Sequence, residues 1–139
     1  MDFYTNAQET EQTAICMLEA CRYRHSIYMS CLAVELYLKS KLHLVPHRDN
    51  LETSHNIVSM YNALVLRYPS KKDLLPMIDL CRKYFNESRY PYAGDNSVYT
   101  ENFTKEFIKI VCAVKDYIDN ECVATIDDLK NKYDGETST

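Results

Sequence analysis

Glycine and proline are scarce in this chain of 139 residues, which holds only two glycines and four prolines. Tight turns between β-strands use both residues heavily, so their scarcity argues against an all-β domain and favours long helices. The length is that of one ordinary domain and is too short for two. Because 46% of the residues are hydrophobic, the chain can bury a core and is not disordered by composition.

Other signals are missing as well. No apolar run approaches the roughly 18 residues that a membrane span needs. The six cysteines form no CxxC pair, so zinc and thioredoxin-like sites have no support. They lie instead in apolar, helix-patterned stretches, where cysteine behaves as a small buried hydrophobe. The polar start of the sequence also lacks the basic segment of a signal peptide, so we expect reduced thiols and a cytoplasmic location.

The charge balance is mildly acidic, with a formal net charge of −4. This balance argues against broad electrostatic binding to nucleic acid, although a local basic site stays open. His43 and His47 are four residues apart, but Pro46 lies between them and no cysteine or carboxylate completes a metal set. We therefore expect no metal and no other cofactor.

Apolar residues at three- and four-residue spacing predict five main helices. The first helix is predicted to begin near Thr5 or Asn6, and a bend at 22–25 separates it from a second helix over 26–44, which Pro46 ends. A third helix is capped by Thr53 or Ser54 and ends at Pro69. A fourth helix carries residues 75–85 with Pro76 in its first turn, and a loop over 88–97 leads to a fifth helix over about 100–121.

The second helix has the strongest pattern. Its stripe consists of Ile27, Cys31, Val34, Leu38 and Leu42. Apolar residues also lie on a second side, and a helix that is apolar nearly all round is usually buried in a bundle or at a subunit contact. The predicted fold is an all-α, antiparallel up-down bundle of four to five helices. We expect one domain over residues 1–134, including a short helix near 125–133, and a flexible tail over 135–139.

Three segments, A-V-E-L-Y-L-K at residues 33–39, H-N-I at 55–57 and Y-F-N-E-S-R-Y-P at 84–91, together resemble motifs of the HEPN domain family (higher eukaryotes and prokaryotes nucleotide-binding). Residues 33–39 read A-V-E-L-Y-L-K, which is similar to the family's A-V-E-K-x-L-K. Residues 55–57 read H-N-I, where the family often has H-D-L at the start of a helix. Residues 84–91 are similar to its Y-x4-R-Y-P segment. The order and spacing agree over roughly residues 23–117.

The resemblance implies a helical bundle that commonly pairs into dimers. Many family members act beside a small nucleotidyltransferase in two-component systems, often a toxin and an antitoxin. Some are metal-independent ribonucleases that carry R-x4–6-H, in which the arginine holds phosphate and the histidine is the acid or base.

Arg89 is the arginine that matches this family motif, yet no histidine follows His55 in the sequence. Asp95 stands at the expected place, but an aspartate is a poor acid at neutral pH unless its pKa is strongly perturbed. Arg48 and His55 satisfy the spacing literally but flank a loop elsewhere. We interpret them as a solvated loop arginine and a histidine at a helix start.

Glu35 lies between two apolar residues on the helix that we expect to be buried. A buried carboxylate needs a partner. Lys39, four residues on, could pair with Glu35 on the helix surface, and Arg89 is the most plausible partner in a polar pocket between helices. The predicted ligand-binding residues are Glu35, His55, Arg89 and Tyr90. The twelve tyrosines suit interfaces, and base stacking is the alternative interpretation.

The predicted function is a non-catalytic HEPN-type module that binds a nucleotide, RNA or a nucleotidyltransferase partner. We expect a homodimer, no contact with a membrane, and a place in a toxin–antitoxin-like two-component system. One alternative is a metal-independent endoribonuclease that uses Arg89 with Asp95 or with a histidine supplied from elsewhere in the dimer. Another is a purely structural dimerisation module whose apolar second helix forms the contact.

Overall fold

The computed structural model describes residues 2–45, 51, 53–90 and 96–126. Within these ranges the chain forms five α-helices, two short 3-10 turns and no strand. The helices are α1 (Phe3–Glu19), α2 (Tyr23–Lys39), α3 (Ile57–Arg67), α4 (Leu75–Arg89) and α5 (Glu101–Asn120), and the 3-10 turns are Leu42–Leu44 and Asn96–Val98. The predicted all-α bundle is confirmed.

Helix α2 lies at the centre and packs against each of the other four α-helices. The predicted stripe is fully buried, since Ile27, Cys31, Val34 and Leu38 expose no surface. The polar side chains Ser26, Ser30, Glu35 and Lys39 are buried on the same helix. The apolar pattern on nearly all sides of α2 therefore reflects its position in the middle of the bundle.

The start of α1 was predicted wrongly. Asp2 is the N-cap, and its carboxylate accepts a hydrogen bond of 2.7 Å from the backbone N–H of Thr5. Thr5 and Asn6 are already helical. An N-cap is set by the side chain that reaches an unpaired N–H of the first turn, and here the acidic residue before Phe3 does so.

The bend between α1 and α2 lies earlier than the predicted 22–25. Cys21 has a φ of 60°, in the left-handed region. Its N–H donates to the carbonyl of Leu18 at 3.0 Å, and the N–H of Arg22 donates to that of Met17 at 2.8 Å. This pair of bonds is the Schellman arrangement that ends a helix. The chain therefore turns over residues 20–22, and residues 23–25 form the first turn of α2.

Three other bounds also differ from the prediction. Helix α2 ends at Lys39, and the segment that was predicted to continue it is wound more tightly in the 3-10 turn over Leu42–Leu44. Helix α3 is capped by Asn56, whose side chain accepts from the N–H of Ser59 at 3.1 Å, and not by Thr53 or Ser54. Helix α4 continues through Arg89, so the first two residues of the predicted loop are helical.

Two predicted bounds are confirmed. Pro76 lies in the first turn of α4, where its missing N–H has no helical partner to lose. Helix α5 begins after Thr100, whose hydroxyl accepts from the N–H of Phe103 at 3.1 Å. The expected tail over 135–139 lies outside the described residues, as does nearly all of the expected helix near 125–133.

Candidate functional site

The site lies where one face of α2 meets α4. Arg24, Tyr28, Glu35 and Lys39 follow one another at three- and four-residue multiples along α2, so they share that face. The Arg24 guanidinium donates from Nη1 to the carbonyl of Ser88, at the end of α4, over 2.7 Å. Farther along both helices, the ring centroids of Tyr28 and Phe85 are 5.3 Å apart. The start of α2 therefore lies beside the end of α4.

Glu35 is a buried carboxylate with both oxygens occupied. Its Oε1 lies 2.9 Å from Nδ1 of His55, and its Oε2 lies 3.4 Å from Nζ of Lys39. The Glu35 and Lys39 side chains are only 3% and 8% exposed. The predicted pairing of these two residues is confirmed, although it is a buried pair and not one on the helix surface. Two partners offset the cost of removing the charge from water.

His55 lies in the segment that precedes α3, and its side chain contacts both α2 and α4. Its ring stacks on Phe85, with centroids 6.4 Å apart and planes inclined by 29°. The side chain is nevertheless 75% exposed. The interpretation of His55 as a histidine at a helix start is correct as to position, but the ring also contacts a carboxylate and an aromatic face. Arg48, its partner in the literal motif, lies outside the described residues.

Arg89 and Tyr90 form a second pair at the end of α4. Arg89 is exposed, and its guanidinium carbon lies 5.4 Å from the centroid of the Tyr90 ring, which is half exposed. The predicted pairing of Glu35 with Arg89 is wrong, because the partners of Glu35 in the described structure are Lys39 and His55. Arg89 lies near the start of α2, whereas Glu35 lies about three turns, roughly 16 Å, farther along that helix.

Phe85 connects the two pairs. His55 stacks on Phe85, and Arg89 follows Phe85 by four residues, so Phe85 and Arg89 share one face of α4 about one turn apart. We call Glu35, His55, Phe85, Arg89 and Tyr90 together the α2–α4 surface. Sequence reasoning placed Phe85 only in the apolar stripe of α4 and so missed this role.

Arg24 was also missed, since it was assigned to the bend. Its spacing of four residues before Tyr28 was the signal that could have placed it on α2. Next to it, burial and the charges of Arg24 and Arg22 lower the pKa of His25. His25 has no carboxylate partner among the described contacts.

The described ranges contain neither a metal-binding cluster nor a membrane-spanning helix. No three histidine, cysteine, aspartate or glutamate side chains there are grouped to hold a metal ion. Within the same residues, no helix is both long enough and apolar enough to cross a bilayer.

The described ranges form an all-α bundle in which the buried Glu35 of the central helix contacts His55, just before α3. The family model described as HEPN domain matches residues 1–121, so the chain belongs to the HEPN domain family. The family predicted from the sequence is thereby confirmed. HEPN domains are generally linked to nucleotide or RNA binding or to ribonuclease activity. No individual curated protein and no solved structure shows a significant match.

Proposed function

We propose that this HEPN domain binds RNA or a nucleotide at the α2–α4 surface. The observation that carries the proposal is the arrangement along α4, where His55 stacks on Phe85 and the Arg89–Tyr90 pair follows one turn later. Exposed aromatic rings can stack on bases, and a guanidinium can hold a phosphate through two hydrogen bonds. Because the whole chain carries a formal charge of −4, attraction to phosphate is confined to such a local site.

In this proposal Arg89 holds phosphate and does not itself form a cleavage motif. The sequence after Arg89 contains no histidine, so a site centred on that arginine lacks the acid–base partner that its family motif requires. The proposal is thus of a binding role for Arg89 and Tyr90. The alternative of an endoribonuclease that uses Arg89 with Asp95, or with a histidine from elsewhere in a dimer, stays a prediction, and Asp95 lies outside the described residues.

Fluorescence anisotropy with labelled mononucleotides and with a pool of fully randomised 20-nucleotide RNAs tests this role. We expect Arg89→Ala to weaken binding about tenfold, since one charge-assisted contact is lost. The plot of log affinity against log salt concentration should become less steep by about one unit. The matched control is Arg82→Ala, an exposed arginine on α4 that pairs with Asp79. Equal binding of every ligand by Arg89→Ala and by the unmodified protein would show the site to be wrong.

The partner predictions rest on family membership alone. A homodimer, a nucleotidyltransferase partner and a toxin–antitoxin-like system all stay predictions. The alternative of a structural module that dimerises through the apolar second helix is not favoured, because the apolar stripe of α2 is buried within the bundle. Light scattering after size-exclusion chromatography measures the oligomeric state directly, and a strict monomer would contradict the predicted homodimer. A gene for a small nucleotidyltransferase beside this one would favour the two-component prediction.

A further inference from the structure

We propose that a cavity between the start of α1 and the end of α2 binds a small aromatic carboxylate, whose charged group is held by the Lys39 ammonium. The cavity has a volume of about 450 Å³. Residues 2–5 line it from the α1 side, and Lys39 and Ser40 line it from the end of α2. This site goes beyond the proposed binding at the α2–α4 surface and does not depend on it.

The Lys39 ammonium has more donors than the protein uses. Its Nζ lies 3.4 Å from Oε2 of Glu35 and 5.9 Å from the centroid of the Phe3 ring. These two groups are its only partners among the described residues. An ammonium carries three N–H donors, so at least one stays available for an acceptor.

An unused donor on Lys39 is informative because the side chain is only 8% exposed. Buried polar groups are nearly always hydrogen-bonded, and a buried charge without enough partners is costly. Phe3, which lies beside the ammonium, also lines the cavity, so the charged end of Lys39 is at the cavity wall. An acceptor that enters the cavity can therefore complete the hydrogen bonding of this ammonium.

The size and lining of the cavity favour an organic acceptor over water alone. A water molecule takes up about 30 Å³ in the liquid, a small part of the volume. Most of the lining is apolar, and the Phe3 ring in the wall is 37% exposed. The Tyr4 hydroxyl is already used in a hydrogen bond of 2.8 Å to Asp119 on α5. Ligand sites of this volume typically combine apolar walls with a few fixed polar groups.

The charges around the cavity favour a ligand with a single negative charge. Lys39 is a cation, whereas the exposed Asp2, which caps α1, presents a carboxylate to the same cavity. His43 also lines it and carries either no charge or a positive one. A phosphate monoester, with a charge of about −1.5 to −2, would be repelled more strongly by Asp2 than a carboxylate would. An aromatic body can in addition pack on the Phe3 ring.

The test uses benzoate as the probe, with benzyl alcohol and benzylammonium as its neutral and cationic controls. Each is titrated at constant ionic strength into the full ¹⁵N-labelled chain, and amide chemical shifts are followed by NMR. We expect saturable binding of benzoate with a Kd of about 1 mM, which is reasonable for about nine non-hydrogen atoms. The largest shifts should fall at Phe3, Lys39 and Ser40. Both controls should bind at least about tenfold more weakly, since they lack the charge-assisted contact.

Asp2→Asn tests the sign of the ligand charge without disturbing the fold. Asparagine caps a helix about as well as aspartate, so α1 should keep its start. Removal of the opposing carboxylate should tighten benzoate binding about two- to threefold. Failure of Asp2→Asn to tighten it would contradict the proposed anion site.

A second variant removes the ammonium. Lys39→Met alone leaves Glu35 without its counter-charge, so the measurement uses the double variant Lys39→Met with Glu35→Leu, which contains no unpaired charge at this pair. Benzoate binding should weaken at least about tenfold. Well-dispersed amide spectra confirm that the variant is folded. Lys109→Met, at an exposed lysine paired with Glu106, is the control and should bind benzoate normally.

Four results would overturn the proposal. They are the absence of saturable benzoate binding below about 20 mM, equal binding of the three probes, tighter binding of benzylammonium than of benzoate, and unchanged benzoate binding by the double variant. None of them bears on RNA or nucleotide binding, which Arg89→Ala tests separately.

Discussion

The ammonium group of Lys39 is buried between Glu35 and the ring of Phe3, whose centroid lies 5.9 Å from Nζ. Lys39→Met keeps the length of the side chain but leaves the Glu35 carboxylate without one of its two partners. We expect the free energy of unfolding to fall by about 3 kcal/mol, since removal of one member of a buried ion pair leaves an uncompensated charge. Urea unfolding measures the change.

The control for Lys39 is Lys109→Met, which removes an exposed lysine paired with Glu106. Its effect should stay below about 1 kcal/mol. Replacement of both members, Lys39→Met with Glu35→Leu, should restore much of the lost stability, because an apolar pair needs no counter-charge. A Lys39 variant as stable as the Lys109 variant would contradict the assignment of a buried pair.

At the scale of single residues, part of the site could be predicted. Val34 and Leu36 flank Glu35, and this pattern correctly predicted that the carboxylate is buried and needs a partner. The partner was predicted wrongly, because it depends on how far α4 is shifted along α2 and on where the chain returns before α3. A one-dimensional pattern contains neither quantity. His55 was selected for its family position, and only the packing shows that it reaches Glu35.

At the scale of the helices, the end of α1 contains a strained residue. Cys21 has a φ of 60°, a conformation that costs a side chain with a Cβ about 1–2 kcal/mol and costs glycine little. We expect Cys21→Gly to raise the free energy of unfolding by about 0.5–1 kcal/mol, after the extra entropy of the unfolded chain is subtracted. Thermal unfolding measures the gain.

Cys16→Gly is the matched control, since it makes the same substitution at an exposed site within α1. It should lower stability by about 0.5–1 kcal/mol because glycine is a poor helix former. Loss of stability in both variants would mean that Cys21 does not adopt the left-handed conformation in solution.

The end of α4 depends on a contact from α2. Arg24 donates to the carbonyl of Ser88, one of the last carbonyls of α4, over 2.7 Å. Arg24→Ala should lower the free energy of unfolding by about 1.5 kcal/mol, which is typical of a hydrogen bond from a charged donor. Amide hydrogen exchange should also become faster near Arg89 and Tyr90. Arg82→Ala, at an exposed pair with Asp79, should leave exchange there unchanged.

Helix existence was easier to predict than helix ends. The apolar stripes of α2 and α5 extend over several turns, so their periodicity is unambiguous. The ends depend on single hydrogen bonds, such as that from the N–H of Thr5 to Asp2, and several residues in each segment could have served as the cap. The predicted bounds consequently differ from the observed ones by a few residues.

For the molecule as a whole, titration of buried groups sets the pH range of stability. Burial and the hydrogen bond to Glu11 raise the pKa of Tyr37, and burial and the neighbouring Cys122 raise that of Tyr117. Burial also raises the pKa of Cys122 to about 11. Groups whose pKa is raised in the folded state contribute stability below their unfolded pKa and lose that contribution as pH rises through the folded one.

We therefore expect the free energy of unfolding to fall above about pH 9, by up to about 1.4 kcal/mol per pH unit for each such group. Tyr117→Phe should make this alkaline fall shallower, while costing about 1 kcal/mol at pH 7 for the lost bond to the carbonyl of Tyr68. Phe107→Leu, which destabilises the core without removing a titrating group, should keep the original slope. An equal alkaline fall of the free energy of unfolding in the unmodified protein, Tyr117→Phe and Phe107→Leu would contradict the prediction. Urea unfolding across pH 7–11 measures them.

The overall fold could be predicted because it rests on averages over the whole chain. Scarce glycine and proline and repeated helical spacing each indicate the same all-α bundle, and errors at single residues do not alter that conclusion. Family membership was predicted from three short segments in order, and the match over residues 1–121 confirms it. The site depends on a few individual contacts, so no such averaging applies to it.

The central position of α2 has a consequence for the order of folding. Since α1, α3, α4 and α5 each pack on this helix, the transition state for folding should already contain it. We expect Leu38→Ala on α2 mainly to slow folding and Leu64→Ala on α3 mainly to speed unfolding, as stopped-flow kinetics in urea would show. The reverse pattern would place the folding nucleus elsewhere. Glu35 lies within this nucleus, so sequence change at the site is constrained by the rate at which the domain assembles as well as by what it binds.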